Sequence, residues 1–223
     1  MIATFFIEII GAIYAFIRYK STPITRLIIV ILICLGTFQL AEFLICEAPA
    51  LPGFTWARIG HVAITLLPPL GILLAMHIAS RHSRVARVIL YIAAIGFTAY
   101  FLFDDNALGM HTCAGNYVIF ESINSQLLYG MYYYGLLSTN IFYSFSWARE
   151  ANDAKVRSAL NWLAVGYLAF ILPTTTINLV EPSTIQAIPS IMCGFAVIFA
   201  LILIFAVLPK VAQPRHKETV SKA

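Results

Sequence analysis

A chain of 223 residues in which 61% are hydrophobic and only 11% charged, with a mean hydropathy of +0.86, has too little polar surface to make a water-soluble domain. Its net charge of +4 is no sign of a nucleic-acid partner, because thirteen of the fourteen Lys and Arg residues fall in alternate gaps between seven apolar segments. Soluble and nucleic-acid-binding classes are thereby excluded, and the pattern predicts an all-α polytopic membrane protein with seven transmembrane helices.

The segments run over residues 2–17, 27–46, 59–79, 88–103, 117–147, 159–180 and 187–208, each about long enough for a hydrocarbon core that takes ~20 helical residues. The first begins without a basic residue and is followed by Arg18 and Lys20. A cleaved signal peptide has the reverse order of charge, so this reads as a retained helix. It carries Glu8 about two turns from its start. The second carries Gln39 and Glu42 on one face, at i and i+3, and ends at Cys46. In the third, His61 and Thr65 lie one turn apart, Pro68-Pro69 interrupts the middle, and His77 falls near the far end. The fourth runs without a polar cluster. The fifth opens with Glu121, Asn124 and Ser125 and continues through Tyr129, Tyr132, Tyr133 and Tyr134, with Gly130 and Gly135 allowing close helix contact. Thr174 and Asn178, at i and i+4, close the sixth, in which Pro173 marks a possible kink; Pro189 and Ser190 open the seventh. Residues 1–208 form the membrane domain in this reading, and 209–223 a short basic tail.

Basic residues bias loops to the cytoplasmic side. Arg18, Lys20 and Arg26 fill the first gap, Arg81, Arg84 and Arg87 the third, Arg149, Lys155 and Arg157 the fifth, and Lys210, Arg215, Lys217 and Lys222 the tail. The other gaps hold Glu47, Asp104, Asp105 and Glu181, with Arg58 alone of its sign. The expected orientation places the N-terminus outside and the C-terminus in the cytoplasm. Cys46 and Cys113 then share the outer compartment, where they are either bridged or two separate thiols, while Cys34 and Cys193 fall within the membrane.

Polar groups within a bilayer are costly, and here they gather toward the outer ends. Glu8, Gln39, Glu42, His61, Thr65, Glu121, Asn124, Thr174 and Asn178 are the candidate ligand-binding residues of an outward-facing polar pocket. The alternative is that they hydrogen-bond one another between helices and serve only packing. No cofactor or metal is expected: Glu8, Glu42, Glu121 and His61 lack a diagnostic ligand spacing, His77 has no second mid-membrane histidine to share a haem, and helix seven offers no lysine for retinal before Lys210. GxSxG, HExxH and HxxxH patterns are absent, so an enzyme is not expected.

The run Trp56-Ala57-Arg58, continuing through Ile64-Thr65-Leu66-Leu67-Pro68-Pro69 to Ser80-Arg81, resembles the seven-helix N-terminal membrane region of bacterial sensor histidine kinases and diguanylate cyclases. Gln39 to Glu42, Arg157 to Leu160 and Gly166 to Pro173 are similar to the same pattern. The likeness spans nearly the whole chain in helix count, but its specific part is helix three. It implies a signal-input module of the bacterial plasma membrane, with catalysis left to a cytoplasmic domain after helix seven. Fifteen residues follow Leu208, without a phosphoacceptor or nucleotide-binding motif. The expected function is therefore a non-enzymatic sensor that binds a small molecule and signals through a separate cytoplasmic protein or a homo-oligomer. The alternatives are a small-molecule or ion transporter, or an accessory subunit of a membrane complex.

Overall fold

The structure, a computed structural model, describes residues 1–47, 53–105, 107–109, 111–114, 117–120 and 126–215. It is all-α apart from one small hairpin. The long helices are α1 (Ile2–Arg18), α2 (Pro23–Cys46), α3 (Gly53–Ile78), α4 (Arg84–Phe103), α5 (Gln126–Glu150), α6 (Ala154–Val180) and α7 (Ile188–Ile202), and a short α8 (Leu208–Val211) follows a π-helical turn, Leu203–Val207. Five helical stretches are long and apolar enough to cross a membrane: α2, α3, α4, α6 and the run Thr184–Val211. Of the other two, α1 has 17 residues, just short of the ~20 that a bilayer asks of an untilted helix. Length is not what α5 lacks; its Tyr132-Tyr133-Tyr134, Ser138-Thr139-Asn140, Ser144 and Ser146 dilute its hydropathy. The chain is thus a helical membrane protein.

Helix α3 is the axis of the bundle. It packs against α2, α4, α5 and α6, while α7 closes the ring onto α1 and α2. Small residues permit that closure: α1 buries Gly11, Ala12 and Ala15, and a Cβ on Gly11 would run into the Ile204 side chain of the π-helical turn.

Local chemistry sets the helix ends. Thr22 caps α2 by accepting the Thr25 N–H (3.2 Å) ahead of Pro23, Ser83 accepts from Ala86 N–H (3.2 Å), and Asp153 from Lys155 N–H (2.8 Å). After α3, Ser80 takes a left-handed φ of 53° while Arg81 N–H reaches back to Met76 O (2.8 Å), the closing bond of a Schellman motif. A small residue suits this place, and glycine suits it better. Ser80→Gly is expected to raise stability by up to about 1 kcal/mol, read as a higher melting temperature in detergent; a lower one would show that the Ser80 hydroxyl matters more than its backbone.

The end of α4 explains the lone basic residue Arg58. Its guanidinium donates to Leu102 O (2.9 Å) and Asp104 O (3.3 Å), pairs with Asp105 Oδ1 (2.6 Å) and lies over the Phe54 ring at 4.2 Å. A cation thus supplies donors to carbonyls that the helix leaves unpaired at its C-terminus.

At helix five the elements differ from the sequence expectation. The apolar run from Tyr117 does not begin helix five: Tyr117–Phe120 is strand β2, paired antiparallel with β1 (His111–Ala114), and α5 starts at Gln126. Alternating burial along β2, with Val118 and Phe120 inward, is the period-two pattern of a strand. Pro68 and Pro69 lie within α3, as in the segment expected from the sequence. Pro69 has no N–H for the Thr65 carbonyl four residues back, and Tyr132 of α5 donates its hydroxyl to that carbonyl instead (2.7 Å). In the last helix, Leu208 N–H bonds Leu203 O rather than the residue four back, just ahead of Pro209, whose ring excludes the usual turn.

The bundle has two unlike ends. At one, Lys20 N–H donates to Gln213 O (2.9 Å), Tyr19 bridges Pro214, and Arg81 pairs with Glu150, so the first basic gap of the sequence meets the tail and the third gap meets the fifth. At the other lie the hairpin, Arg58 and a disulfide between Cys46 and Cys113, with Cα atoms 5.9 Å apart.

Candidate functional site

Three helices bring the intramembrane carboxyls together. Glu8 of α1 and Glu42 of α2 are close enough to interact electrostatically, and Cys193 of α7 is within electrostatic range of both. Gln39 accepts from the Thr4 hydroxyl (2.8 Å). The Ser190 hydroxyl, one turn before Cys193, is within hydrogen-bonding reach of Glu42 and accepts the Val118 N–H of the hairpin (3.0 Å). All four of Glu8, Gln39, Glu42 and Ser190 are buried. Among the described residues, both Glu8 oxygens, Glu42 Oε1 and Gln39 Nε2 have no hydrogen-bond partner. Such a group carries its full desolvation cost, so an apolar replacement of similar shape relieves it. Glu8→Met is therefore expected to leave stability unchanged or raise it by about 1–3 kcal/mol in thermal unfolding; a large loss would mean that ordered water or an ion satisfies the carboxyl.

A second region surrounds His61 and Thr65. The Thr65 hydroxyl donates to His61 O (2.6 Å) and lies 3.0 Å from the Tyr129 hydroxyl, which in turn has the Thr65 oxygen as acceptor. Together with the Tyr132 bond, α5 thereby grips α3 at the turn that its prolines loosen. Tyr132→Phe removes the donor to a buried carbonyl and is expected to cost about 1–2 kcal/mol; unchanged melting would show that the carbonyl finds another donor. His61 bonds the Ala57 carbonyl through Nδ1 (2.9 Å), which makes that nitrogen the donor and leaves Nε2 as an acceptor. Its ring sits against Phe120 (centroids 4.8 Å apart) and Phe101 (5.2 Å).

Beside His61 opens a cavity of about 750 Å³, enclosed by α3, α4, α5, the hairpin, the 3-10 turn Pro182–Ala187 and the first turns of α7. Ile64, Phe101, Leu108, Phe120, Tyr129, Tyr133, Tyr134, Gln186, Pro189 and Met192 form much of its wall. A cavity of this size with aromatic walls and few polar groups has the character of a small-molecule site.

The candidate residues thus divide. Of those predicted from sequence, His61 lines this cavity. Thr65 lies one turn along α3, joined to the wall through Tyr129, and Glu8, Gln39 and Glu42 form the separate α1–α2–α7 cluster. Thr174 is buried and donates to Phe170 O (2.7 Å), while Asn178 Oδ1 accepts from the Thr184 hydroxyl (2.6 Å) at the junction of α6 and the 3-10 turn. Glu121 and Asn124 lie outside the described residues. His77 bonds Leu73 O within its own helix (3.0 Å) and stands near His82. No group of three or more His, Cys, Asp or Glu side chains able to hold a metal ion occurs among the described residues. Gln186, Phe120 and Met192 had no sequence signal beyond being polar or apolar near a helix end.

The fold and the site define an integral membrane protein with a buried carboxyl cluster and an aromatic cavity at one end of its bundle. No protein-family model matches the chain, and no curated protein matches it.

Proposed function

We propose that this protein is a seven-span membrane sensor that holds a small molecule in the aromatic cavity beside His61 and passes its occupancy to a separate cytoplasmic partner. The single observation carrying this reading is the cavity itself, because two of its walls belong to helices whose regular turn is interrupted, α3 by its prolines and α7 by the π-helical turn that follows it. Tyr129 connects it to Thr65 and the proline-interrupted turn of α3, and Pro189 and Met192 connect it to α7, which runs the length of the bundle to the π-helical turn. A ligand that favours one arrangement of Tyr129 and α7 over another shifts the bundle by its difference in affinity for the two.

The orientation we propose is hairpin end outside and basic end in the cytoplasm, with α1 and α5 as the remaining two spans. The gathering of basic residues at one end and a disulfide at the other support it. Membership of the sensor-kinase-like group, and the bacterial plasma membrane as location, rest on the Trp56 to Arg81 likeness.

Gly130 gives the test. It lines the cavity, and a Cβ there meets nothing within 4 Å, so it does not serve the close helix contact expected from the sequence, and Gly130→Trp introduces a bulky side chain at the cavity wall from an uncrowded position. Protein purified from native membranes in mild detergent and analysed by mass spectrometry is expected to carry a small molecule and a stoichiometric signalling protein. The Gly130→Trp variant should keep the wild-type helix content, lose the small molecule and melt like wild type stripped of its ligand. Wild-type protein recovered without either companion, or within a large transport or respiratory complex, would sink the sensor reading.

A further inference from the structure

Resting on that reading of the cavity, we infer that its ligand is an uncharged, ring-bearing, lipid-soluble molecule that is admitted sideways from the bilayer between α5 and the 3-10 turn. The walls set the ring. His61, Phe101, Phe120 and Tyr129 form a connected aromatic surface, with Phe101 and Tyr129 centroids 5.0 Å apart at nearly perpendicular planes, which leaves faces and edges for a flat guest to pack against. Charge is disfavoured because no Asp, Glu, Lys or Arg is among the described residues lining the cavity, and a buried charge without a partner is costly. The residues with polar groups in its lining are few and neutral in kind: Gln186, Tyr129, Tyr133, Tyr134 and His61. They suit a molecule with one or two hydroxyl, carbonyl or N–H groups.

The route follows from the rim. Leu127 and Met131 on the first turns of α5 are 78% and 58% exposed, and Ile185 on the facing 3-10 turn is 46% exposed; all three also line the cavity. A mouth that opened to water would place apolar side chains where hydration penalises them, whereas in a membrane helix the same side chains are solvated by lipid tails. The opening therefore faces the bilayer, and a ligand dissolved in lipid reaches it without crossing an aqueous vestibule.

Two probes that share a ring and differ in charge test the class: 2-naphthol and naphthalene-2-sulfonate, titrated against the full chain in lipid nanodiscs. The expected result is saturable 2-naphthol binding that Gly130→Trp abolishes, with the sulfonate bound at least tenfold more weakly. For the route, the added fluorescence of Leu127→Trp is expected to be quenched by brominated phosphatidylcholine and spared by aqueous iodide. Sulfonate bound as tightly as 2-naphthol, and displaced by Gly130→Trp, would overturn the uncharged class while leaving the cavity a ligand site. Absence of 2-naphthol binding would overturn the class as well, whereas binding indifferent to Gly130→Trp would overturn the cavity reading beneath it. Iodide quenching without lipid quenching would overturn the sideways route alone.

Discussion

Gly71→Leu is expected to yield no stably folded protein. Gly71 lies on α3 two residues past the paired prolines, and the Tyr167 hydroxyl of α6 occupies the place where a Cβ would sit, with Asn140 Nδ2 of α5 only 2.7 Å from the same point. Tyr167 is among the largest fully buried side chains and packs on Phe199 at 4.6 Å, so it has nowhere to swing. Overpacking of a close-packed interior costs about 1–3 kcal/mol where side chains can give, and more where they cannot. Even Gly71→Ala, which gains up to ~1 kcal/mol of helix propensity, should destabilise. The double variant Gly71→Ala/Tyr167→Phe supplies the check, since it removes the nearest clashing atom, although Asn140 Nδ2 at 2.7 Å and the Tyr167 ring carbon Cζ at 2.8 Å still crowd the new methyl. Partial recovery of the lost melting temperature is expected in that cycle, and strictly additive losses would mean that the close approach of α3 and α6 is not what the glycine serves.

The Cys46–Cys113 bond is the second feature whose removal should be felt strongly. It closes 67 residues, and loop-closure entropy alone values such a constraint at about 4 kcal/mol. Helices α3 and α4 lie inside that loop, and membrane helices persist in the denatured state, so the measured effect should fall toward about 2–4 kcal/mol. Cys46→Ala/Cys113→Ala protein, or wild type in reductant, is expected to melt correspondingly lower and to leave α2, α6 and α7 otherwise helical by circular dichroism. An unchanged melting curve together with four reactive thiols in unfolded, unreduced protein, in place of the two of Cys34 and Cys193, would show that the bond does not form. The hairpin is the region expected to loosen first, and with it the Val118 bond to Ser190 that joins the hairpin to α7.

Charge and hydropathy made most of the helices legible, because cations cluster where the chain turns and the apolar runs between them are long. The hairpin was not legible: Tyr117-Val118-Ile119-Phe120 is apolar and leads straight toward the aromatic face of α5, and a short apolar run fits a strand or a helix equally well. Helical spacing correctly put Gln39 on the face of Glu42, yet spacing cannot say which neighbour that face meets. Glu8 and Glu42 turned toward α7 and Gln39 to Thr4 of α1, while His61 turned to the aromatic cavity. The cavity wall was hidden for a related reason. Phe101, Phe120, Tyr133 and Met192 look like ordinary core in sequence, because a side chain that lines a hollow and one that fills it have the same chemistry. Pro68-Pro69 marked an interruption within α3, but the sequence could not show that the Tyr132 hydroxyl supplies a donor to the carbonyl the prolines leave unpaired.

The π-helical turn at Leu203–Val207 sets the compass bearing of everything after it. Inserting one residue into a helix advances all later side chains by about 100° around the axis while lengthening it by only ~1.5 Å. Lys210, whose ammonium reaches Ala206 O at 3.1 Å, and the segment through Pro214 that bridges Tyr19 are therefore aimed by this bulge and not by the apolar stretch above it. Deleting a single residue there would swing the tail by more than a quarter of a revolution with the membrane-embedded part of α7 left in register.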